Sequence, residues 1–285
     1  MNRFKIGVMT DSFRLPLREG IVKSREAGAE GIQLYAVEGA MAPENLSKEQ
    51  RRELLAFIKD QGLIVSALCG DLGGHGFQSE EDNPFKIERS KAILDLALDL
   101  ECNVITTHIG VVPEEADSPR RRVMYAACRE LGLYASSKGA TFAIETGPEP
   151  AIVLRGFLDS LECGKGVGVN FDPANLAMVV GEDPAETVTH VGPYIVHTHA
   201  KDGKRFKKID PKVIYDYFAE GGIEDMRLSD YFLETPLGEG SVDFPRYLDA
   251  LEKTGFNGFL TIEREVGAEP ERDILAAIQF LRGLI

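Results

Sequence analysis

Four short runs decide the fold: ATFAIE at residues 140 to 145, GVGVNFD at 166 to 172, YIVHTH at 194 to 199 and GFLTIE at 258 to 263. Each is β-like, and each closes on a side chain able to bind a metal: Glu145, Asp172, His199 and Glu263. The first two intervals are 27 residues each and the third is 64, which predicts one βα unit, a second, and one carrying a long insertion. Side chains two apart on a strand share a face. Phe142 and Ile144 therefore oppose Glu145, Val169 and Phe171 oppose Asp172, and Leu260 and Ile262 oppose Glu263. In a parallel barrel wrapped in helices the aliphatic face turns outward, so the acids point into the barrel mouth.

The same rhythm extends over the whole chain. Strands are expected near 4–9, 31–35, 63–68, 103–108, 140–145, 167–172, 194–199 and 258–263, with helices over 16–28, 47–61, 84–101, 119–138, 150–163, 184–191, 243–254 and 270–283. Helix starts are marked by Ser47 with Gln50, Asn83-Pro84 and Pro270-Glu271, and helix ends by Gly62, Gly139 and Gly255. Eight βα units in 285 residues predict a single (β/α)8 TIM-barrel domain spanning 1–285, with an extended insertion after strand 7. That insertion, residues 200–242, carries Tyr215, Tyr217, Phe218, Tyr231 and Phe232, and reads equally as a lid or as an interface in a homo-oligomer.

Composition narrows the function. Lys and Arg total 32 against 46 Asp and Glu, and a net charge of −14 argues against nucleic acid or anionic membrane as partner. The start MNRFKIGVMTDSF lacks a signal-type apolar run and no stretch reaches the length of a membrane span, so a soluble cytoplasmic protein is expected. Cys69, Cys102, Cys128 and Cys163 have no CxxC spacing and read as buried thiols. Two Glu, one Asp and one His form an oxygen-rich set suited to a single Mn²⁺, Mg²⁺, Co²⁺ or Zn²⁺. A glutamate ending one strand is by itself commonly a solvated rim residue, and Asp172 before Pro173 also fits a turn cap.

IET at 144–146, NFDPANL at 170–176, HTHAKD at 197–202, PLGEGSVDF at 236–244 and GFLTIE at 258–263 resemble the xylose-isomerase-like TIM barrels, specifically the sugar phosphate isomerase/epimerase group. That group includes ketose 3-epimerases, hydroxypyruvate isomerase, inosose dehydratase and, more distantly, endonuclease IV. The resemblance implies one divalent metal held by Glu145, Asp172, His199 and Glu263, with Glu145 and Glu263 also moving the proton. Where the epimerases place a histidine three residues after the aspartate, this chain has Asn175, and Arg205 keeps the spacing of an arginine that touches substrate.

The expected activity is a metal-dependent isomerase or epimerase acting on a sugar or sugar phosphate by proton abstraction beside a carbonyl, through a metal-stabilised enediolate. An inosose dehydratase-type lyase is the alternative; an abasic-site endonuclease, which needs a histidine-rich multi-metal site, and a non-catalytic sugar-binding barrel come after it. His108 at the end of strand four and His75 in the loop GDLGGHGF are candidate substrate contacts with Asn175, Lys201 and Arg205. The basic run KDGKRFKK, residues 201–208, reads either as a solvated loop or as a grip for an anionic substrate. His197 is expected one layer deeper as a structural histidine, His190 on the surface, and GEG at 238–240 as a turn or a pocket motif.

Overall fold

The computed structural model describes residues 3–285. Strands β1 (Lys5–Met9), β2 (Gly31–Tyr35), β3 (Ile64–Cys69), β4 (Val104–Thr107), β5 (Thr141–Glu145), β6 (Val167–Phe171), β7 (Ile195–Ala200) and β10 (Phe259–Ile262) close into a parallel barrel. β10 pairs with both β1 and β7, so the ring is complete. The helices between them are α1 (Leu17–Ala27), α2 (Lys48–Asp60), α3 (Asn83–Asp99), α4 (Pro119–Ser137), α5 (Ala151–Leu161), the single turn α6 (Pro173–Asn175), α7 (Pro184–Val191), α9 (Phe244–Lys253) and α10 (Pro270–Arg282). The eight expected strands and eight expected helices are all present. At α2 the capping box of Ser47 and Gln50 forms in both directions.

The two faces of each strand do different work. Phe171 on β6 stacks on Tyr247 of α9 at 5.4 Å, and Phe142 on β5 meets Phe77 edge-on, which places the apolar faces against the outer layer. Inside, Gln33, Thr106, Asn170, His197 and Thr261 are all buried, a polar filling where branched aliphatics would be usual. It is tolerated because its members bond to one another. Gln33 Nε2 donates to Thr106 Oγ1 at 2.9 Å, His197 Nδ1 lies 2.8 Å from Asn170 Oδ1, and Thr261 Oγ1 lies 2.9 Å from His197 Nε2. Burial beside His199 holds His197 well below its ordinary pKa, so it is a neutral structural histidine.

The long segment after β7 is not a plain loop. β8 (Asp202–Arg205) and β9 (Phe232–Thr235) form a two-stranded antiparallel ribbon, with α8 (Pro211–Ala219) between them. The Asp202 carboxylate fastens its base. Oδ1 accepts from the backbone N–H of Gly203 (2.8 Å) and Val242 (3.1 Å), and Oδ2 accepts from Gly238 (3.0 Å) and Gly240 (2.9 Å). A Cβ on Gly240 would lie 2.0 Å from Asp202 Oδ1, so only glycine lets the chain wrap this closely. GEG at 238–240 is thus a structural clamp. Within the basic run 201–208, Asp202–Arg205 form a ribbon strand, Lys201 is buried, and Lys204, Lys207 and Lys208 are exposed. All four cysteines are buried and unpaired by disulfides, and among the described residues no helix is long and apolar enough to cross a membrane.

Candidate metal centre

Glu145 is the last residue of β5, Asp172 follows β6, His199 is the fifth residue of β7 and Glu263 follows β10. The barrel brings them together at one rim: one ligand-type atom from each lies within 4.8 Å of all the others. His199 Nδ1 is 3.5 Å from Glu145 Oε1, 3.4 Å from Asp172 Oδ2 and 3.3 Å from Glu263 Oε2. Two of these atoms, Asp172 Oδ2 and His199 Nδ1, are buried without a hydrogen-bond partner. Buried polar atoms are rarely left so, and here both face the centre of the cluster. Asp172 is also the cap of α6, its Oδ1 accepting from the N–H of Ala174 and Asn175, which leaves Oδ2 for the cluster.

Neighbouring groups fix the orientation of these side chains. His199 Nε2 sits 3.0 Å from Gln33 Oε1, which turns Nδ1 toward the acids. Glu145 accepts from Asn170 Nδ2 on Oε2 (3.0 Å) and from Asn175 Nδ2 on Oε1 (3.1 Å). Gly147, at φ +143°, makes room for Asn175: a Cβ there would stand 2.5 Å from the Asn175 Cβ. Glu263 accepts from Lys201 Nζ at 2.8 Å, and Lys201 also pairs with Glu265 and stands 3.9 Å from Glu234. Arg264 in turn bonds Glu234 at 2.5 Å and Asp273 at 2.8 Å.

The electrostatics follow from this packing. Burial would raise the Glu263 carboxyl, but the charges of His199 and Lys201 hold it well below the usual range. Burial likewise opposes ionisation of Glu145, and His108 and His199 outweigh it. His199 is pushed the other way: burial disfavours its charge, yet Glu263 and Glu145 raise it well above an ordinary histidine. Three carboxylates around one imidazole nitrogen make a site short of positive charge, which is the condition a divalent cation meets.

Above the cluster lies a cavity of about 760 Å³. Glu145, His199 and Glu263 form part of its floor, and His108, Asn175 and Lys201 also line it. His108 Nε2 is 3.6 Å from Glu145 Oε1, and its ring meets Tyr215 of α8 edge-on. The roof comes from the insertion, through Ile214, Tyr215, Phe218, Phe232 and Leu233. Two expected contacts lie elsewhere. His75 is not among the lining residues; its Nε2 is 2.6 Å from Glu220 just beyond α8, and so it ties the loop after β3 to the insertion. Arg205 is absent from the lining too, because its guanidinium donates to the Val180 carbonyl at 2.9 Å and packs on Gly181. Gln33 and Asn170 were open to discovery as polar residues inside apolar strands; Glu234 and Arg264, brought in by the ribbon and the β10 exit, carried no such signal.

Residues 21–284 match the family described as Xylose isomerase-like TIM barrel, and the chain belongs to it. Among curated proteins, the rhizopine catabolism protein MocC of Rhizobium meliloti is 36% identical over 105 residues, which is 36% of this chain and 29% of that protein. The match therefore spans under a third of that relative's length. Among solved structures, a xylose isomerase domain protein from Planctomyces limnophilus superposes with a TM-score of 0.79 at 25% identity, covering 99% of this chain and 96% of that one. The probable 3-DHS dehydratase AsbF from Bacillus anthracis gives 0.75 at 21%, covering 98% and 99%, and a D-tagatose 3-epimerase-like protein gives 0.74 at 17%, covering 99% and 97%. These last two likenesses establish the shared fold.

Proposed function

We propose that the protein is a divalent-metal-dependent isomerase or epimerase of a sugar or related hydroxy ketone, with Glu145, Asp172, His199 and Glu263 as metal ligands. The observation that carries this reading is the pair of buried, partnerless ligand atoms, Asp172 Oδ2 and His199 Nδ1, inside the four-residue cluster. When bound there, the ion supplies Lewis-acid polarisation of a carbonyl and a neighbouring hydroxyl. The rest of the chemistry belongs to the chain. Glu145 and Glu263 come from β5 and β10, which are not neighbours in the ring, and both are held as carboxylates. One removes the proton beside the carbonyl; for an isomerisation the same group, now a carboxylic acid, gives that proton back at the neighbouring carbon, and for an epimerisation the other glutamate, having first taken a proton from water, delivers it to the opposite face while the first releases its own to water. Lys201 positions Glu263, while Asn170 and Asn175 position Glu145; His108, beside Glu145 in the cavity lining, would hold a substrate hydroxyl.

Equilibrium dialysis with Mn²⁺ tests the ligand set: Asp172→Ala and His199→Ala should each weaken binding at least tenfold, and wild-type affinity in both would end the assignment. A panel of ketoses and inososes incubated in D₂O with Mn²⁺ and followed by NMR tests the chemistry. Deuterium at the carbon beside the carbonyl, with the skeleton intact, supports isomerisation or epimerisation. Loss of water without recovered isomer replaces it with the dehydratase reading.

A further inference from the structure

The cavity is too large and too apolar on one side for an unadorned sugar, and it is wrongly charged for a sugar phosphate. About 760 Å³ lies toward the upper end of the range for ligand pockets, roughly 300–1,000 Å³. Its floor is the acidic cluster, but its far wall is Met178, Val179, Ile214, Phe218, Phe232 and Leu233. Gly203 permits this wall to close: a Cβ there would stand against Met178 Sδ, so the ribbon lies directly on the segment after α6. Phe218 is 64% exposed and Leu233 46% exposed, and both line the cavity, so an apolar group of a ligand seated there would cover them.

Charge points the same way. Six carboxylates line the cavity against three cationic side chains, and each cation is already engaged. Arg14 donates to the carbonyls of Gly267 (2.7 Å) and Glu265 (3.0 Å). Lys201 serves Glu263 and Glu265, and Arg264 serves Glu234 and Asp273. Arg205, which would have to grip a phosphate, is held outside the cavity by the Val180 carbonyl. A phosphate would find no free guanidinium or ammonium in the lining to grip it.

Resting on the isomerase or epimerase reading above, we propose that the substrate is an uncharged polyhydroxy ketone bearing an apolar substituent of roughly aryl size. The hydroxy ketone lies at the Glu145–His199–Glu263 floor and the substituent lies under Phe218 and Leu233.

Three probes sharing one hydroxy-ketone core test this: 6-O-methyl-D-fructose, 6-O-benzyl-D-fructose and D-fructose 6-phosphate, titrated calorimetrically into the protein with and without Mn²⁺. The benzyl ether should bind about tenfold more tightly than the methyl ether, as expected when one phenyl ring leaves water. The phosphate should bind more weakly than the methyl ether. Phe218→Ser, at an exposed position compatible with folding, should remove most of the benzyl-over-methyl preference. A phosphate that binds more tightly than the methyl ether overturns the proposal. So does a benzyl ether with no advantage, including one that shows no measurable binding. Dependence of binding on Mn²⁺ judges the metal-based reading separately, since the ranking of the three probes is read in either condition.

Discussion

Replacing Asp202 by Asn changes one atom and removes half of the clamp at the base of the lid. The carboxylate accepts four backbone N–H bonds between 2.8 and 3.1 Å, two on each oxygen. Asparagine can satisfy only one of those pairs, because its NH₂ presents hydrogens to donors that also present hydrogens. Bonds to a charged acceptor contribute about 1.5–3 kcal/mol each, so losing two would cost about 3–6 kcal/mol if nothing moved. The turn at 236–240 is partly exposed and can let water in, which brings the expected loss to about 2–4 kcal/mol. Part of that loss should appear locally, as opening of the ribbon rather than unfolding of the barrel. Urea melts measure the global share, and limited proteolysis within residues 206–231 measures the local share. Asp202→Asn with wild-type urea midpoint and wild-type cleavage rate would refute the clamp.

Other consequences follow from the buried charges. Glu149 is buried, bonded by one oxygen to the Val112 N–H at 3.1 Å and by the other to nothing, and burial pushes its pKa up to about 8. The native state therefore retains a proton that the unfolded chain releases at the ordinary glutamate value, so this group makes stability fall as pH rises from about 4.5 toward 8. Glu149→Gln should flatten that slope and stabilise the protein by roughly 1–3 kcal/mol at pH 8 relative to pH 5; an unchanged slope in thermal melts across this range would contradict it. Lys201→Met leaves Glu263 without its 2.8 Å partner and should destabilise the metal-free protein by about 3–5 kcal/mol in urea, with a smaller loss when Mn²⁺ is present. A loss below about 1 kcal/mol would mean that solvent, not Lys201, balances Glu263.

The barrel was legible because its signals are local and repeated. Aliphatic alternation ending in a polar residue marks β5, β6 and β10 within five or six residues each, and the cap Ser47 with Gln50 marks α2. The four strand-end side chains were legible for the same reason, since parallel strands deliver their C-terminal residues to one rim. The ribbon was not. DGKR and FLET are short, polar or only half apolar, and pair across the 26 residues 206–231, so nothing local distinguishes them from loop. Arg205 shows where spacing misleads: its distance from His199 along the chain fits a substrate contact, but the ribbon turns it toward the Val180 carbonyl. His75 stands in a glycine-rich loop, and its partner Glu220 lies 145 residues away in the insertion, so no local signal marks the contact.

The two ends of the insertion meet. Ser241 N–H donates to the Gly203 carbonyl at 2.9 Å, and both flanks are gathered by the carboxylate of Asp202, three residues after His199, which accepts from the Gly240 N–H at 2.9 Å. The segment between them is consequently a cassette: its chain path leaves and re-enters the barrel at a single point. A different cassette with the same Asp and Gly ends would also have to keep Glu234, whose carboxylate pairs with Arg264 and stands 3.9 Å from Lys201, the partner of Glu263. Roof and floor are thus joined at two places, the Asp202 clamp and the Glu234 carboxylate.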